Sequence, residues 1–196
     1  MSKRAFDIIA AAVGLVLLSP LLLAVSLLIK LDSPGPVFFR QERIGRWFRP
    51  FLIYKFRTMV HEAPQLGGPI TFGADPRITR VGRMLRKTKI DELPQLINVL
   101  KGEMSLVGPR PEVRQYVEMF RSQYEEILRV PPGITDLASL YYRDEAELLG
   151  RAADPAKEYV RYVLPQKLQL AKEYVKRSSL VFDVTLIFKT LFKLLR

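Results

Sequence analysis

The chain has no cysteine and only one histidine, His61. Without thiols there is no disulfide framework and no thiolate metal centre. Without a cluster of nitrogen or sulfur ligands a zinc enzyme is all but excluded. Any metal must be held by carboxylates, phosphates and water, which selects Mg²⁺ or a similarly hard cation. Acidic residues are also scarce: 20 Asp plus Glu stand against 31 Lys plus Arg, a net charge of +11. That excess points to a polyanionic partner, whether nucleic acid, a lipid headgroup surface or a phosphorylated substrate. There is no internal repeat and no low-complexity tract, and 196 residues suffice for one domain with its own core.

What the chain does have is a long apolar run. From Ile8 to Ile29 there is no charged residue, a stretch longer than the ~20 residues that cross a bilayer as a helix. Lys30 and Asp32 follow it in place of a small-residue cleavage site, which argues against a secretory signal. Ser19-Pro20 falls at its centre, where proline removes a backbone donor and predicts a break. Lys3 and Arg4 precede the run, and Lys30, Arg40, Arg43, Arg46, Arg49, Lys55 and Arg57 follow it. Basic flanks favour the cytoplasmic side. A re-entrant helix, bent at Ser19-Pro20 with both ends on one face, is therefore preferred over a spanning one.

Beyond the turn at Ser33-Pro34-Gly35-Pro36, the segments 37–41 and 51–58 read as two strands of a hairpin joined through Ile44-Gly45-Arg46. Residues 61–74 read as loop. Arg77, Arg80, Arg83 and Arg86 make a basic helical stripe that alone is an ordinary solvated face. Residues 93–100 and 112–129 are expected to be helical. Asp154-Pro155 signals an N-cap, opening a helix toward Arg177 that Pro165 kinks or divides. Residues 180–196 put Thr185, Lys189, Lys193 and Arg196 on one stripe among Leu, Ile, Val and Phe, the pattern of a helix lying in the membrane interface. The expected fold is α+β and mainly helical, with a re-entrant membrane helix (1–32), a cytosolic-face catalytic domain (33–179) containing the hairpin, and an interfacial amphipathic helix (180–196).

The chemistry concentrates in Arg83–Pro94, RMLRKTKIDELP. Pro94 has no N–H, which is harmless only in a first helical turn, so a helix is expected to begin near Asp91. Asp91 and Glu92 then sit at a helix N-terminus that stabilises negative charge and can help hold a phosphate. Alone, the pair reads as capping. Its surroundings argue for more: Arg86, Lys87 and Lys89 lie beside it, and Arg110 stands between Pro109 and Pro111. Phosphoryl transfer uses such an assembly, with a carboxylate to attack phosphorus or hold a metal and arginines to neutralise the oxygens. The residues themselves lead to a carboxylate–arginine phosphate site beside a membrane, and not to a sugar.

In order and spacing the motifs resemble the bacterial sugar transferases, the monotopic phosphoglycosyl transferases. They are Lys3-Arg4-x-x-Asp7, the run with Ser19-Pro20, the segment from Pro34-Gly35-Pro36 to Ile44-Gly45, Lys55-Phe56-Arg57-Thr58-Met59, Asp91-Glu92-Leu93-Pro94-Gln95-Leu96, Asn98 to Ser105, Gly108-Pro109-Arg110-Pro111 and Pro132-Gly133-Ile134-Thr135. The resemblance implies a plasma-membrane enzyme of the cytoplasmic face, in its minimal catalytic form, and a ping-pong reaction. Asp91 would attack the β-phosphorus of a UDP-sugar and release UMP, and polyprenyl phosphate would then take the phosphosugar. Glu92 would assist at the metal or with protons. Asp91 and Glu92 would hold Mg²⁺, and Arg86, Arg110, Lys55 and Arg57 would bind phosphate or substrate. Membrane lipids are further partners, and the oligomeric state stays open, a homodimer among the options. The chain departs from the family at Asp136–Leu140 and at Ala171, which puts the sugar's identity in doubt. A non-catalytic membrane-surface adaptor would also explain the charge, but not Asp91-Glu92 beside Arg110. A nucleic-acid binder would need a recognition motif, and none is present.

Overall fold

The computed structural model describes residues 2–66, 75–142 and 145–195. In chain order the helices and strands are α1 (Lys3–Asp32), β1 (Phe38–Ile44), β2 (Pro50–Phe56), α2 (Ala63–Leu66), α3 (Arg80–Thr88), α4 (Gln95–Lys101), β3 (Ser105–Val107), α5 (Arg114–Met119) and α6 (Arg121–Ile127). Then come β4 (Gly133–Thr135), α7 (Leu137–Tyr141), α8 (Glu145–Gly150), α9 (Pro155–Glu158), α10 (Leu164–Arg177) and α11 (Leu180–Leu195). The fold is mostly helical, with two small two-stranded sheets. β1 and β2 pair antiparallel from Phe38↔Phe56 to Ile44↔Pro50, and β3 pairs parallel with β4 through Ser105↔Gly133 and Val107↔Thr135.

α1 runs unbroken through Pro20 for 30 residues, about 45 Å at 1.5 Å per residue. The expected interruption is met by a local substitution. Pro20 cannot donate to the carbonyl one turn back, and Ser19 Oγ donates to that carbonyl, Val16 O, at 2.7 Å. One side of α1 packs on the domain through Ala11, Val25 and Ile29, while Val16, Leu17, Leu23 and Leu31 are each more than 70% exposed. A continuous apolar face of this kind marks a surface made for lipid or a partner.

Both ends of α1 are bound to the same body. At the start, Arg4 donates to Val99 O (2.7 Å) and Leu100 O (3.1 Å), in the last turn of α4. Asp7 accepts from Ser105 Oγ (2.8 Å) and Leu106 N (3.2 Å) of β3. Lys3 donates to Val107 O at 3.1 Å and pairs with buried Asp183 of α11. At the far end, Asp32 Oδ2 accepts from Val81 N at 3.1 Å. Arg57 spreads over Ser33 O (2.6 Å), Pro34 O (2.6 Å) and Ile29 O (3.3 Å), tying down the C-terminal end of α1 and the turn after it.

Several elements depart from the sequence expectation. The helix expected from Asp91 starts at Gln95, with Pro94 as its N-cap; Asp91 and Glu92 occupy a 3₁₀ turn, Ile90–Glu92, just before it. The 112–129 helix is two helices meeting at Phe120. Part of the 61–74 loop is α2, and residues 67–74 lie outside the described residues. Asp154 caps α9 by accepting from Lys157 N, after which a π turn, Tyr159–Val163, leads into α10. That wider turn precedes Pro165, whose ring would crowd the carbonyl four residues back in a regular helix. On α11, Lys193 donates inward to Leu140 O, while Lys189 is exposed. Arg196 lies outside the described residues. α11 exposes Val181, Phe188, Leu191 and Phe192, and it buries Leu186 and Asp183.

Candidate active site

The 3₁₀ turn that carries Asp91 and Glu92 is fixed from both sides. Lys89, in left-handed conformation (φ 60), ends α3, and Pro94 opens α4. Successive side chains on a 3₁₀ turn diverge by about 120° because it has ~3 residues per turn. The two carboxylates therefore meet different surroundings.

Glu92 is held by two cations from distant segments. Lys55 Nζ of β2 lies 2.6 Å from Oε1, and Arg110 donates Nη2 to Oε1 at 2.5 Å and Nη1 to Oε2 at 3.3 Å. Burial works against its charge, yet Arg110 and Lys55 together hold Glu92 well below the usual carboxylate range. The Glu92 charge in turn raises Arg110, which stays protonated. Burial lowers Lys55 despite the facing Glu92.

Asp91 is buried, and its Oδ1 has no hydrogen-bond partner. Burial and then the neighbouring Glu92 charge push its pKa up, against the pull of Lys55, Lys89 and Arg86. Arg86 is turned inward from the α3 stripe, and its Nε donates to Thr58 Oγ1 at 2.8 Å. Arg80 and Arg83 keep the solvated position expected of the stripe, and Arg77 forks onto Asp75. Gly82 permits this packing, since a Cβ there would stand 2.0 Å from Thr58 O.

The fold thus gathers Lys55, Arg86, Asp91, Glu92 and Arg110. It does not bring Arg57 to them: that guanidinium is committed to the end of α1. Ser19 and Pro20 lie in the exposed middle of α1, away from the carboxylates. Arg110 is positioned by the close approach of two backbones. Gly108 N donates to Thr135 O (3.1 Å) and Gly133 N to Pro109 O (3.0 Å), leaving no room for a Cβ at either glycine.

Beside Glu92 opens a cavity of about 600 Å³. Glu92, Lys89 and Arg110 stand in its wall, whereas Asp91 does not. Its apolar lining includes Phe6 and Ala10 of α1, Leu96 of α4, and Ile187 and Leu191 of α11. The lining also holds Arg43, Glu112, Glu145, Tyr159 and Lys167, none of which had been assigned to a site from the sequence. Arg43 lay inside a quoted motif and Glu112 directly followed one. Tyr159 and Lys167 had no sequence signal, because the π turn that aims them is set by packing.

Mg²⁺ was expected on Asp91 and Glu92. Among the described residues no group of three or more His, Asp or Glu forms a protein-only metal cage. Mg²⁺ commonly takes only one or two carboxylates, with water and substrate phosphates completing its shell. The orphaned Asp91 Oδ1 suits such a cation, and buried acceptors without partners call for this kind of explanation. Glu92 already has both oxygens occupied.

The chain matches the bacterial sugar transferase family over residues 1–196, and it belongs to that family. Among its relatives is a UDP-N-acetylgalactosamine-undecaprenyl-phosphate N-acetylgalactosaminephosphotransferase of Aeromonas hydrophila, 44% identical over 96% of this chain and 42% of the relative. A UDP-glucose:undecaprenyl-phosphate glucose-1-phosphate transferase of Escherichia coli K12 is 40% identical over 97% of this chain and 39% of its own length. The chain therefore spans about two fifths of these relatives. An exopolysaccharide production protein PSS of Rhizobium leguminosarum bv. phaseoli is 42% identical and is matched over 92% of its length, with 96% of this chain covered.

Proposed function

We propose that this protein is a phosphoglycosyl transferase that moves a sugar-1-phosphate from a UDP-sugar to a polyprenyl phosphate, starting the assembly of a membrane-linked glycan. One observation carries the reading. A buried carboxylate pair ringed by Lys55, Arg86 and Arg110 adjoins a cavity whose lining includes residues of the two helices with the most exposed apolar surface, α1 and α11. Such a site can hold a pyrophosphate against an isoprenoid chain. The activities for which the relatives are named agree with it.

In the mechanism we propose, an Asp91 carboxylate oxygen attacks the β-phosphorus of the donor. The bond from that phosphorus to the bridging oxygen breaks, and UMP departs with the electron pair. Asp91 then carries the phosphosugar as an acyl phosphate. An oxygen of the polyprenyl phosphate attacks the same phosphorus, which forms the diphosphate linkage and frees the carboxylate. Asp91 suits the nucleophile because its carboxylate, unlike that of Glu92, is not locked between Lys55 and Arg110, so one oxygen can attack while the other faces the cation. Lys55 and Arg110, locked on Glu92, hold positive charge beside the reacting phosphates, and Arg86 adds more from the Thr58 side. Mg²⁺, held by Asp91 with phosphate oxygens and water, would supply further charge neutralisation when bound. Activity is expected to vanish with EDTA and to return on adding Mg²⁺. Undiminished turnover after thorough chelation would leave neutralisation to the three basic residues alone.

The domain is proposed to sit on the cytoplasmic face with α1 re-entrant, any bend at Ser19-Pro20 being made within one continuous helical run. The ties at both ends of α1 support this, since a spanning helix would carry Lys3 and Asp32 to opposite sides of a ~30 Å hydrocarbon layer. Because the chain lacks cysteine, single cysteines at Ser2 and Ser33 can be labelled without background. Both are expected to resist an impermeant thiol reagent in spheroplasts and to react once the membrane is opened. Labelling of the Ser2 position from outside would sink the re-entrant reading and leave the chemistry intact.

A further inference from the structure

The polar wall of the cavity is not explained by phosphate chemistry. Lys167 Nζ donates to Glu145 Oε2 at 2.9 Å and lies 3.5 Å from the Tyr159 hydroxyl. Tyr159 donates to Glu112 Oε1 at 2.6 Å, and Arg43 Nη1 is 3.4 Å from Glu112 Oε2. The chain of groups alternates acid and base and draws on β1, the segment after β3, α8, the π turn and α10. Burial, then the Glu112 charge, raises the Tyr159 phenol far above its ordinary value, so it stays protonated and keeps donating.

Stability alone is a poor reason for this network. Taking Glu112, Lys167 and most of Arg43 out of water costs more than pairing usually returns, and apolar side chains of similar size would hold α10 as well. The neighbouring core does use apolar packing, through Ile127, Leu128, Leu164 and Leu168. Two groups also remain open. Arg43 Nε is buried with no partner, and the Glu145 side chain makes no other hydrogen bond among the described residues.

We infer that Glu145 and Lys167, backed by Tyr159, Glu112 and Arg43, form a subsite for a vicinal diol of the nucleotide-sugar donor. The inference rests on the transferase reading and names the part of the donor that this wall takes. A carboxylate beside an ammonium offers an acceptor and a donor to neighbouring hydroxyls. A phosphate would meet two carboxylates here, and an isoprenoid would have to desolvate every charge. The donor carries such hydroxyls in two places, the transferred sugar and the ribose of UMP.

The test measures equilibrium binding and donor KM for UDP-glucose, UDP-galactose and UDP-N-acetylgalactosamine, with UMP as competitor. It uses the full chain in lipid nanodiscs and the variants Glu145→Gln and Lys167→Met, each with its melting temperature. Glu145 is only half-buried, so its variant keeps the test alive if Lys167→Met fails to fold. The expected result is a rise of about tenfold or more in donor KM, as loss of a charged hydrogen bond predicts. If UMP inhibition is unchanged, the diol is that of the sugar. If UMP inhibition weakens by the same factor and the donors shift equally, the diol is the ribose. Folded variants whose KM and UMP inhibition match the parent for every donor overturn the subsite and leave the transferase reading standing. A parent chain that binds these donors, with affinity lost in the variants, but never releases UMP overturns the transferase reading and keeps the subsite.

Discussion

Asp91→Asn is expected to abolish transfer, lowering the rate by roughly 10³-fold or more, as removal of a covalent nucleophile does elsewhere. The amide has nearly the shape of the carboxylate, so the surrounding packing should survive. It cannot attack phosphorus, and it binds a hard cation poorly. Two readouts separate this from a general loss of charge. With UDP-sugar alone, the parent protein should release UMP and gain the mass of a phosphosugar on Asp91, and Asp91→Asn should do neither. Glu92→Gln should also slow the reaction severely, for a different reason: it frees Lys55 and Arg110 from the carboxylate that aims them. It should retain a slow adduct on Asp91. An Asp91→Asn protein that turns over near the parent rate would rule out the covalent path on this residue.

Gly133→Ala should be the most damaging substitution outside the carboxylate pair. The added methyl would stand 2.0 Å from Gly108 N and 2.6 Å from Gly108 O, both backbone atoms that no rotamer change can move aside. β3 and β4 would have to separate. Ser105 N to Pro132 O, Gly108 N to Thr135 O and Gly133 N to Pro109 O would open together, and with them the strap that carries Arg110. Overpacking usually costs ~1–3 kcal/mol, and a clash with fixed backbone belongs at the upper end. For a chain of this length that lowers the melting temperature by on the order of 10 °C. Activity should fall further than stability, because Arg110 loses its aim before the domain unfolds. Gly14→Ala is the control: its Cβ would meet only Leu96 Cδ1, at an ordinary 3.4 Å, inside a helix that favours alanine. A Gly133→Ala protein that melts like the parent and works at its rate would show the strap to be looser than its geometry.

Much of this was legible in the amino-acid order because it depends on near neighbours. The uncharged run from Ile8 to Ile29 dictates a long apolar helix, since hydropathy and helix propensity act within a few turns. The β1–β2 hairpin and the Asp154 cap are local in the same sense, and the charge balance pointed to anionic partners. Locality also limited the reading. Pro20 reads as a break because proline lacks an N–H, but Ser19 supplies a hydroxyl to the stranded carbonyl and the helix continues. Arg57 was expected to bind phosphate with Lys55, and strand alternation alone would give residues two apart a common face, yet β2 ends at Phe56 and the Arg57 guanidinium turns to the end of α1. The partners of Glu92 come from 37 and 18 residues away, and those of Glu112 from as far as 69. No periodicity encodes such pairings. They follow from how α1 lies across α4 and β3 and how α10 packs on α6 and α7, so the amino-acid order determined which charged groups the protein possesses, and only tertiary packing decided which of them meet, because electrostatic partnership is a matter of distance in space rather than along the chain.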